Sequence, residues 1–168
     1  IEAKGILSFL YLWVEDEPIL AFKHSKDLVA HFPKNYYFNL LLLESMIRIG
    51  NSQNIKAIIE DIELLSPNLT HRQKEWYGSY FDYERALFFF HQKKYSDALE
   101  FLNSAINSYT AELDIILGNA YLLQGMTYDM MNDRNEAKSS YKKCLKLDNF
   151  SSTMNKAKQY LNQPYQGQ

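Results

Sequence analysis

The stretch that decides the fold runs from Asn119 to Asn149 and reads NAYLLQGMTYDMMNDRNEAKSSYKKCLKLDN. Its apolar and aromatic residues recur every three or four positions on both sides of the polar turn MNDRN, which is the spacing of two amphipathic helices. Gly125 lies in the first helix and Ala137 in the second. Small residues at such positions let two helices approach closely, so the stretch predicts one helical hairpin.

Aromatic and small residues follow a fixed order in this hairpin. Tyr121 and Tyr128 flank the glycine of the first helix, and Tyr141 and Cys144 follow Ala137 in the second. This order resembles the tetratricopeptide repeat family, in which aromatic and small positions alternate in this way. The resemblance implies a stack of helical hairpins, because one hairpin cannot bury its apolar face alone.

The pattern recurs, with varying fidelity, over residues 1–150. The preceding hairpin shows it clearly, whereas the second hairpin is the weakest match. We therefore predict an all-α fold, a right-handed superhelical α-solenoid of tetratricopeptide-like hairpins that forms a single domain over residues 1–168. The expected hairpins cover about 1–33, 34–67, 70–109 and 111–149, followed by a capping helix at about 151–162.

Helix boundaries follow from local signals. Pro18 suits the first turn of the second helix, Gly50 suits the end of the third, and Thr70 suits the N-cap of a long fifth helix over about 70–92. The seventh helix is expected at about 111–131, and Ser151 or Ser152 is expected to cap the ninth. The polar tail NQPYQGQ, residues 162–168, is expected to fray.

Composition excludes several classes of protein. Eighteen basic and twenty acidic residues give a net charge of −2, which argues against a nucleic-acid partner or an electrostatic grip on membranes. No apolar run approaches the roughly 18 residues that a membrane span needs. One cysteine excludes an internal disulfide framework. The unusual number is the aromatic content of 15%, with 13 Tyr, 10 Phe and 2 Trp.

The sequence shows no catalytic cluster. His24, His31, His71 and His91 form no metal-ligand pattern and are expected at the surface or at helix ends. Cys144 occupies a small, buried repeat position, whereas a reactive thiolate needs an electropositive and partly open setting. We therefore expect no enzymatic activity, no metal and no cofactor.

Eight aromatic residues between Trp76 and Phe90 exceed what hairpin packing requires, and they suggest a binding surface. Projecting the first helix of each hairpin onto the concave side of a solenoid predicts an aromatic and aliphatic groove for a peptide or protein segment. The groove residues are Leu10, Trp13, Leu40, Arg48, Tyr80, Tyr83, Leu87, Phe90, Asn119, Leu122, Met126 and Asp129.

Two functional hypotheses follow. The first is a non-enzymatic protein–protein interaction scaffold that binds through this groove. The alternative is a structural role, in which these repeats are the C-terminal half of a larger solenoid whose groove is filled internally. The chain begins without Met and within a helical pattern, so we expect a fragment of a longer protein. The cytoplasm is the default expectation for the compartment, and export as a soluble protein remains an alternative. An exposed terminal repeat would allow homo-oligomers to form.

Overall fold

The computed structural model describes residues 2–51, 53–110 and 115–167. Those ranges contain nine α-helices, one 3₁₀ turn and no β-strand, which confirms the all-α prediction. Residues 111–114, where the seventh helix was predicted to begin, lie outside them. The helices are α1 (Glu2–Trp13), α2 (Pro18–His31), α3 (Tyr36–Arg48), α4 (Ile55–Leu65), α5 (His71–His91), α6 (Tyr95–Asn107), α7 (Ile115–Met130), α8 (Arg134–Cys144) and α9 (Ser151–Asn162).

The chain divides into two compact units, a first unit of residues 1–74 and a second unit of residues 75–168. The first unit contains α1 to α4 together with the start of α5. The second unit contains the rest of α5 and α6 to α9. The organisation of residues 1–168 as a single domain stays a prediction.

Small residues bring the helices of the first unit together. Ser8 on α1 and Ala21 on α2 are both fully buried, and the Ser8 hydroxyl lies 3.4 Å from the Ala21 carbonyl oxygen. Ser25 on α2 lies 3.2 Å from Ser45 on α3, measured between the two hydroxyl oxygens. Gly50 adopts a φ of +69°, the left-handed conformation that ends a helix, as the sequence predicts.

The long helix α5 begins with a reciprocal cap. The Gln73 backbone N–H donates to the Thr70 hydroxyl at 3.3 Å, and the Thr70 backbone N–H donates to the Gln73 side-chain oxygen at 2.9 Å. This is a capping box, which satisfies two of the backbone donors that a helix start leaves without helical partners. The N-cap prediction for Thr70 is confirmed.

The α5–α6 hairpin of the second unit also packs on small residues. Ala98 on α6 is fully buried, and the Ser79 hydroxyl of α5 donates to the Ala105 carbonyl oxygen of α6 at 2.8 Å. The rings of Phe89, near the end of α5, and Phe101, in the middle of α6, stack with their centroids 5.4 Å apart.

The α7–α8 hairpin packs most closely at Gly125. A Cβ atom at this position would lie 2.3 Å from Cε1 of the Tyr141 ring, so only glycine fits beneath that ring. Ala137 and Cys144 lie in the same fully buried seam. The close approach that the small residues of the sequence predict is present at this hairpin.

Polar side chains connect neighbouring helices of the second unit. The Gln124 amide of α7 donates to the Asn103 side chain of α6 at 3.0 Å and accepts from the Ser140 hydroxyl of α8 at 2.9 Å.

The predicted cap of α9 is wrong, because α9 begins at Ser151 with Phe150 in the N-cap position, and neither Ser151 nor Ser152 precedes the helix. Both serines lie within the first turn of α9, after the N-cap position, and the Phe150 backbone N–H donates to the Asn149 side chain at 2.7 Å.

Candidate functional site

Four of the predicted groove residues lie in the first unit. Trp13 and Leu40 are buried there, whereas Leu10 is 38% exposed on α1. Leu10 is therefore the member of this group that presents the most surface. Further apolar side chains near it in the sequence are exposed on α1, just after α1 and at the start of α2, namely Ile6, Leu7, Val14, Ile19 and Leu20.

Arg48, the fourth residue of that group, ties the end of α3 to the end of α1. Its guanidinium donates to the Leu12 carbonyl oxygen at 2.9 Å and pairs with Asp16 at 3.2 Å. It also pairs with the buried Glu44 carboxylate at 2.7 Å and lies 5.5 Å from the centroid of the Trp13 ring. The structure thus brings Arg48 and Trp13 together, and these contacts give Arg48 a packing role inside the unit.

The other eight predicted residues lie on α5 and α7 of the second unit. Six are buried, and the remaining two, Met126 and Asp129, are half-buried. The buried six are Tyr80, Tyr83, Leu87, Phe90, Asn119 and Leu122. The buried six therefore present little surface to a partner in this structure.

The C-terminal tail, residues 163–167, accounts for part of this covering. The Tyr165 backbone N–H donates to Oδ2 of Asp129 at 2.8 Å. The Tyr165 ring lies 5.9 Å from the Phe90 ring and 5.2 Å from the Tyr160 ring, measured between centroids. The expectation that this polar tail frays is wrong, because its single aromatic residue packs against α5 and α9.

Asp129 is the centre of the polar contacts at this place. Its side chain is only 1% exposed, although the residue as a whole is half-buried, and both carboxylate oxygens accept from Arg134 Nη1, at 2.9 and 3.0 Å. Oδ2 also accepts from the Tyr141 hydroxyl at 2.8 Å. Burial, followed by the hydrogen bond to Asp129, raises the pKa of Tyr141 well above its ordinary value, so the phenol keeps its proton and remains a donor.

Arg134 extends this arrangement to the end of α9. Its Nη2 donates to the carbonyl oxygens of Tyr160 at 2.7 Å and Leu161 at 2.8 Å. These two carbonyls belong to the last turn of α9, whose terminal carbonyls have no helical partner of their own. We call Asp129, Arg134 and Tyr141 the Asp129 network, which fixes the end of α9 and the start of the tail.

Sequence reasoning predicted Asp129 and missed Arg134, Tyr160 and Tyr165. Arg134 stands five residues after Asp129, across the turn between α7 and α8, and helical periodicity does not relate residues across a turn. The sequence feature that could have identified Tyr165 is the Pro-Tyr pair in an otherwise polar tail. An isolated aromatic residue in such a segment indicates that its ring packs against the rest of the protein.

Comparison with known families identifies the hairpin that carries the Asp129 network. Residues 118–150 match the family model described as "Tetratricopeptide repeat". This segment is therefore similar to one tetratricopeptide repeat. It spans most of α7, all of α8 and the turn that leads to α9. No curated protein and no solved structure matches the chain significantly.

The match confirms the sequence-based resemblance at this hairpin and, together with the nine helices of the described residues, supports the helical-repeat fold class. The match names the superfamily and no particular member. Among the described residues, no helix has the length and apolarity that a membrane crossing requires. Those residues also contain no group of three or more His, Cys, Asp or Glu side chains arranged to hold a metal ion.

Cys144 belongs to the buried seam of the α7–α8 hairpin. Burial raises the pKa of its thiol to about 12. The thiol therefore keeps its proton at neutral pH, and it lacks the properties of a nucleophile. The packing role that the sequence suggests for this residue agrees with both its burial and its pKa.

We expect Cys144 to resist alkylation until the second unit unfolds. It is the one cysteine of the sequence, so labelling by a thiol reagent in increasing urea reports directly on this unit. Because the folded state holds the thiol proton more tightly than the unfolded state, stability should also fall as pH rises from about 9 towards 12. Rapid labelling of the native protein at pH 7 would contradict the assignment.

A shallow cavity of about 230 Å³ lies in the first unit, between α1 and the end of α2. Lys4 pairs with Asp27 there, and the hydrogen bond from Lys4 lowers the pKa of Asp27. The His31 ring nitrogen Nδ1 lies 2.8 Å from the Asp27 carbonyl oxygen. These pairings within the α1–α2 hairpin account for the charges of the cavity without a ligand.

Proposed function

We propose that this protein is a non-enzymatic protein–protein interaction scaffold that binds an extended peptide or protein segment on the groove residues of α5 and α7. Tetratricopeptide repeats generally mediate protein–protein interactions, and residues 118–150 are similar to one such repeat. The groove residues supply an apolar surface with an acceptor, the Asp129 carboxylate, at its edge. Shape and apolar burial would provide affinity, and hydrogen bonds would fix orientation.

The observation that carries the proposal is the position of the tail. A non-helical segment of polypeptide lies against Phe90 of α5 and Asp129 of α7, two of the predicted groove residues on different helices. The surface thus already accommodates a polypeptide backbone through a hydrogen bond and an aromatic side chain through ring contacts. An external segment of similar chemistry would make the same contacts.

The same observation favours the alternative function, in which the groove is filled by the protein itself. In that case Tyr165 is a permanent part of the core, and the repeat serves to stiffen a longer solenoid. The two functions differ in one measurable property, which is whether the tail exchanges with an external segment. Association of two copies through exposed apolar residues of α1 and of the position after it, Ile6, Leu10 and Val14, stays a further proposal.

Trp76 offers a test that leaves the core intact. Its position in the sequence places it on the same face of α5 as Tyr80, Tyr83 and Phe90, and its side chain is 46% exposed. Tryptophan is among the residue types enriched at binding hot spots. We expect Trp76→Ala to weaken partner binding about tenfold or more, which corresponds to about 1.4 kcal/mol, while the protein remains folded.

The experiment uses the full chain with a photo-crosslinking phenylalanine at position 76 to capture partners. The matched control carries the same group at Leu64, which is 74% exposed in the first unit. The dissociation constant of a captured and purified partner is then measured for the wild type, Trp76→Ala and Leu64→Ala. Equal binding by all three proteins would contradict the proposed surface.

A further inference from the structure

Tyr165, which follows Pro164, makes a hydrogen bond and ring contacts that join the C-terminal tail to α5, α7 and α9. The side chain of Tyr165 is half-buried, whereas Gln163, Pro164, Gln166 and Gly167 are exposed. A segment with one inserted aromatic residue between exposed neighbours has the form of a bound peptide rather than that of a core element.

The acceptor for the tail is assembled without the tail. Arg134 and Tyr141, both on α8, hold the Asp129 carboxylate by their own hydrogen bonds, at 2.8 to 3.0 Å. Oδ2 of Asp129 is therefore held in position to accept a hydrogen bond from a backbone N–H, whether that N–H belongs to Tyr165 or to another segment. Any extended segment carries such a donor, so this contact selects backbone conformation and does not select a side chain.

The aromatic contacts select the side chain. Phe90 of α5 and Tyr160 of α9 provide rings at 5.9 and 5.2 Å from the Tyr165 ring, with interplanar angles of 44° and 73°. Inclined ring pairs at these distances are favourable, and they need an aromatic residue in the segment that binds. A proline before that residue restricts the backbone in advance, which reduces the conformational entropy lost on binding.

The tail also has the geometry of an efficient competitor. Arg134 binds the carbonyl oxygens of Tyr160 and Leu161, so the end of α9 is fixed beside Asp129, and Tyr165 follows four residues later. A short connection of this kind gives an effective concentration in the millimolar range. An external segment must compete with it, and its apparent affinity falls by the fraction of molecules in which the site is covered.

We infer that residues 163–167 are a resident, displaceable occupant of the binding surface, and that the partner is an extended segment in which a tyrosine follows a proline. This inference rests on the proposed function and adds the chemistry of the ligand and a form of autoinhibition. The partner segment would place its tyrosine ring against Phe90 and Tyr160 and donate its backbone N–H to Asp129.

Fluorescence anisotropy with a labelled tail peptide tests the inference on the full chain. The probe has the sequence of residues 161–167, LNQPYQG. The Tyr165→Ala chain should bind it at least tenfold more tightly than the wild type, because the resident anchor is gone. The matched control, Gln166→Ala, changes an exposed neighbour and should bind like the wild type. A probe with alanine in place of the tyrosine should not bind.

Two further variants test whether the probe binds at the position that Tyr165 occupies. Pro164→Gly loosens the tail without removing its anchor, so it should bind the probe with an intermediate affinity and serves if Tyr165→Ala fails to fold. Phe90→Leu in the Tyr165→Ala background keeps an apolar side chain of comparable size, and it should weaken probe binding at least fivefold. No effect of this second change would place the probe elsewhere and overturn the inference.

The other possible results of the probe experiment can be distinguished from failure of the proposed partner binding. Equal probe affinity of the wild type and Tyr165→Ala would show that the tail does not cover the site, and absence of binding by both would exclude the tyrosine segment as ligand class. A dimer that Tyr165→Ala dissociates would show exchange of tails between copies, which also overturns a resident occupant. Each result leaves the Trp76→Ala test of partner binding intact.

Discussion

Replacing Gly125 with alanine should lower the free energy of unfolding of the second unit by about 3 kcal/mol, at the upper end of the usual cost of overpacking. The new Cβ would fall 2.3, 2.6 and 2.8 Å from three ring carbons of Tyr141. Tyr141 is fully buried, so its ring has little space to move, and movement would strain its hydrogen bond to Asp129. The higher helix propensity of alanine, worth about 1 kcal/mol, offsets only part of this cost.

Gly78→Ala is the matched control for this substitution. Gly78 also lies within a helix of the second unit, but nothing lies within 4 Å of the Cβ that alanine would add. This variant should therefore gain about 0.5–1 kcal/mol from helix propensity alone. Urea titration followed by alkylation of Cys144 measures both variants. Equal midpoints would contradict the close packing of α7 on α8.

The second large effect is expected for Asp129→Asn, which should lower the stability of the second unit by about 3 kcal/mol. The variant keeps the shape of the side chain but removes the charge that pairs with Arg134. Its amide NH₂ group also cannot accept the hydrogen bonds that Oδ2 receives from Tyr141 and Tyr165. Removing one member of a buried pair leaves the other without compensation, which makes the cost large.

Asp97→Asn is the control for the loss of one carboxylate. Asp97 is exposed in the first turn of α6, so its substitution should change stability by no more than about 0.5 kcal/mol. The same urea titration applies, and probe binding provides a second measurement. If both aspartate variants unfold at the same urea concentration, the Asp129 network does not stabilise the unit.

Local sequence signals predicted the helices well because each signal acts over a few residues. Pro18 begins α2, Thr70 caps α5 and Gly50 ends α3, each through a backbone requirement visible in the sequence. The buried small residues Ala98 and Ala137 follow from helical spacing in the same way. Periodicity identifies the face of a helix that is apolar, and that information was sufficient for the fold class.

The candidate site was less predictable because periodicity does not say what covers a face. The sequence predicts Tyr80 and Phe90 on a binding surface, yet both are buried in the structure. The tail that reaches Phe90 is separated from it by more than 70 residues, and its anchor, Tyr165, stands in a polar segment that suggests fraying. Contacts of this range depend on tertiary packing, which no local pattern encodes.

The central claim is that the second unit binds extended segments on a surface that its own tail covers. One ratio of dissociation constants tests this claim most directly. It compares the labelled tail peptide on the wild type with the same peptide on Tyr165→Ala, at one temperature and salt concentration. The account predicts a ratio of ten or more, with Gln166→Ala indistinguishable from the wild type. A ratio of one would contradict it.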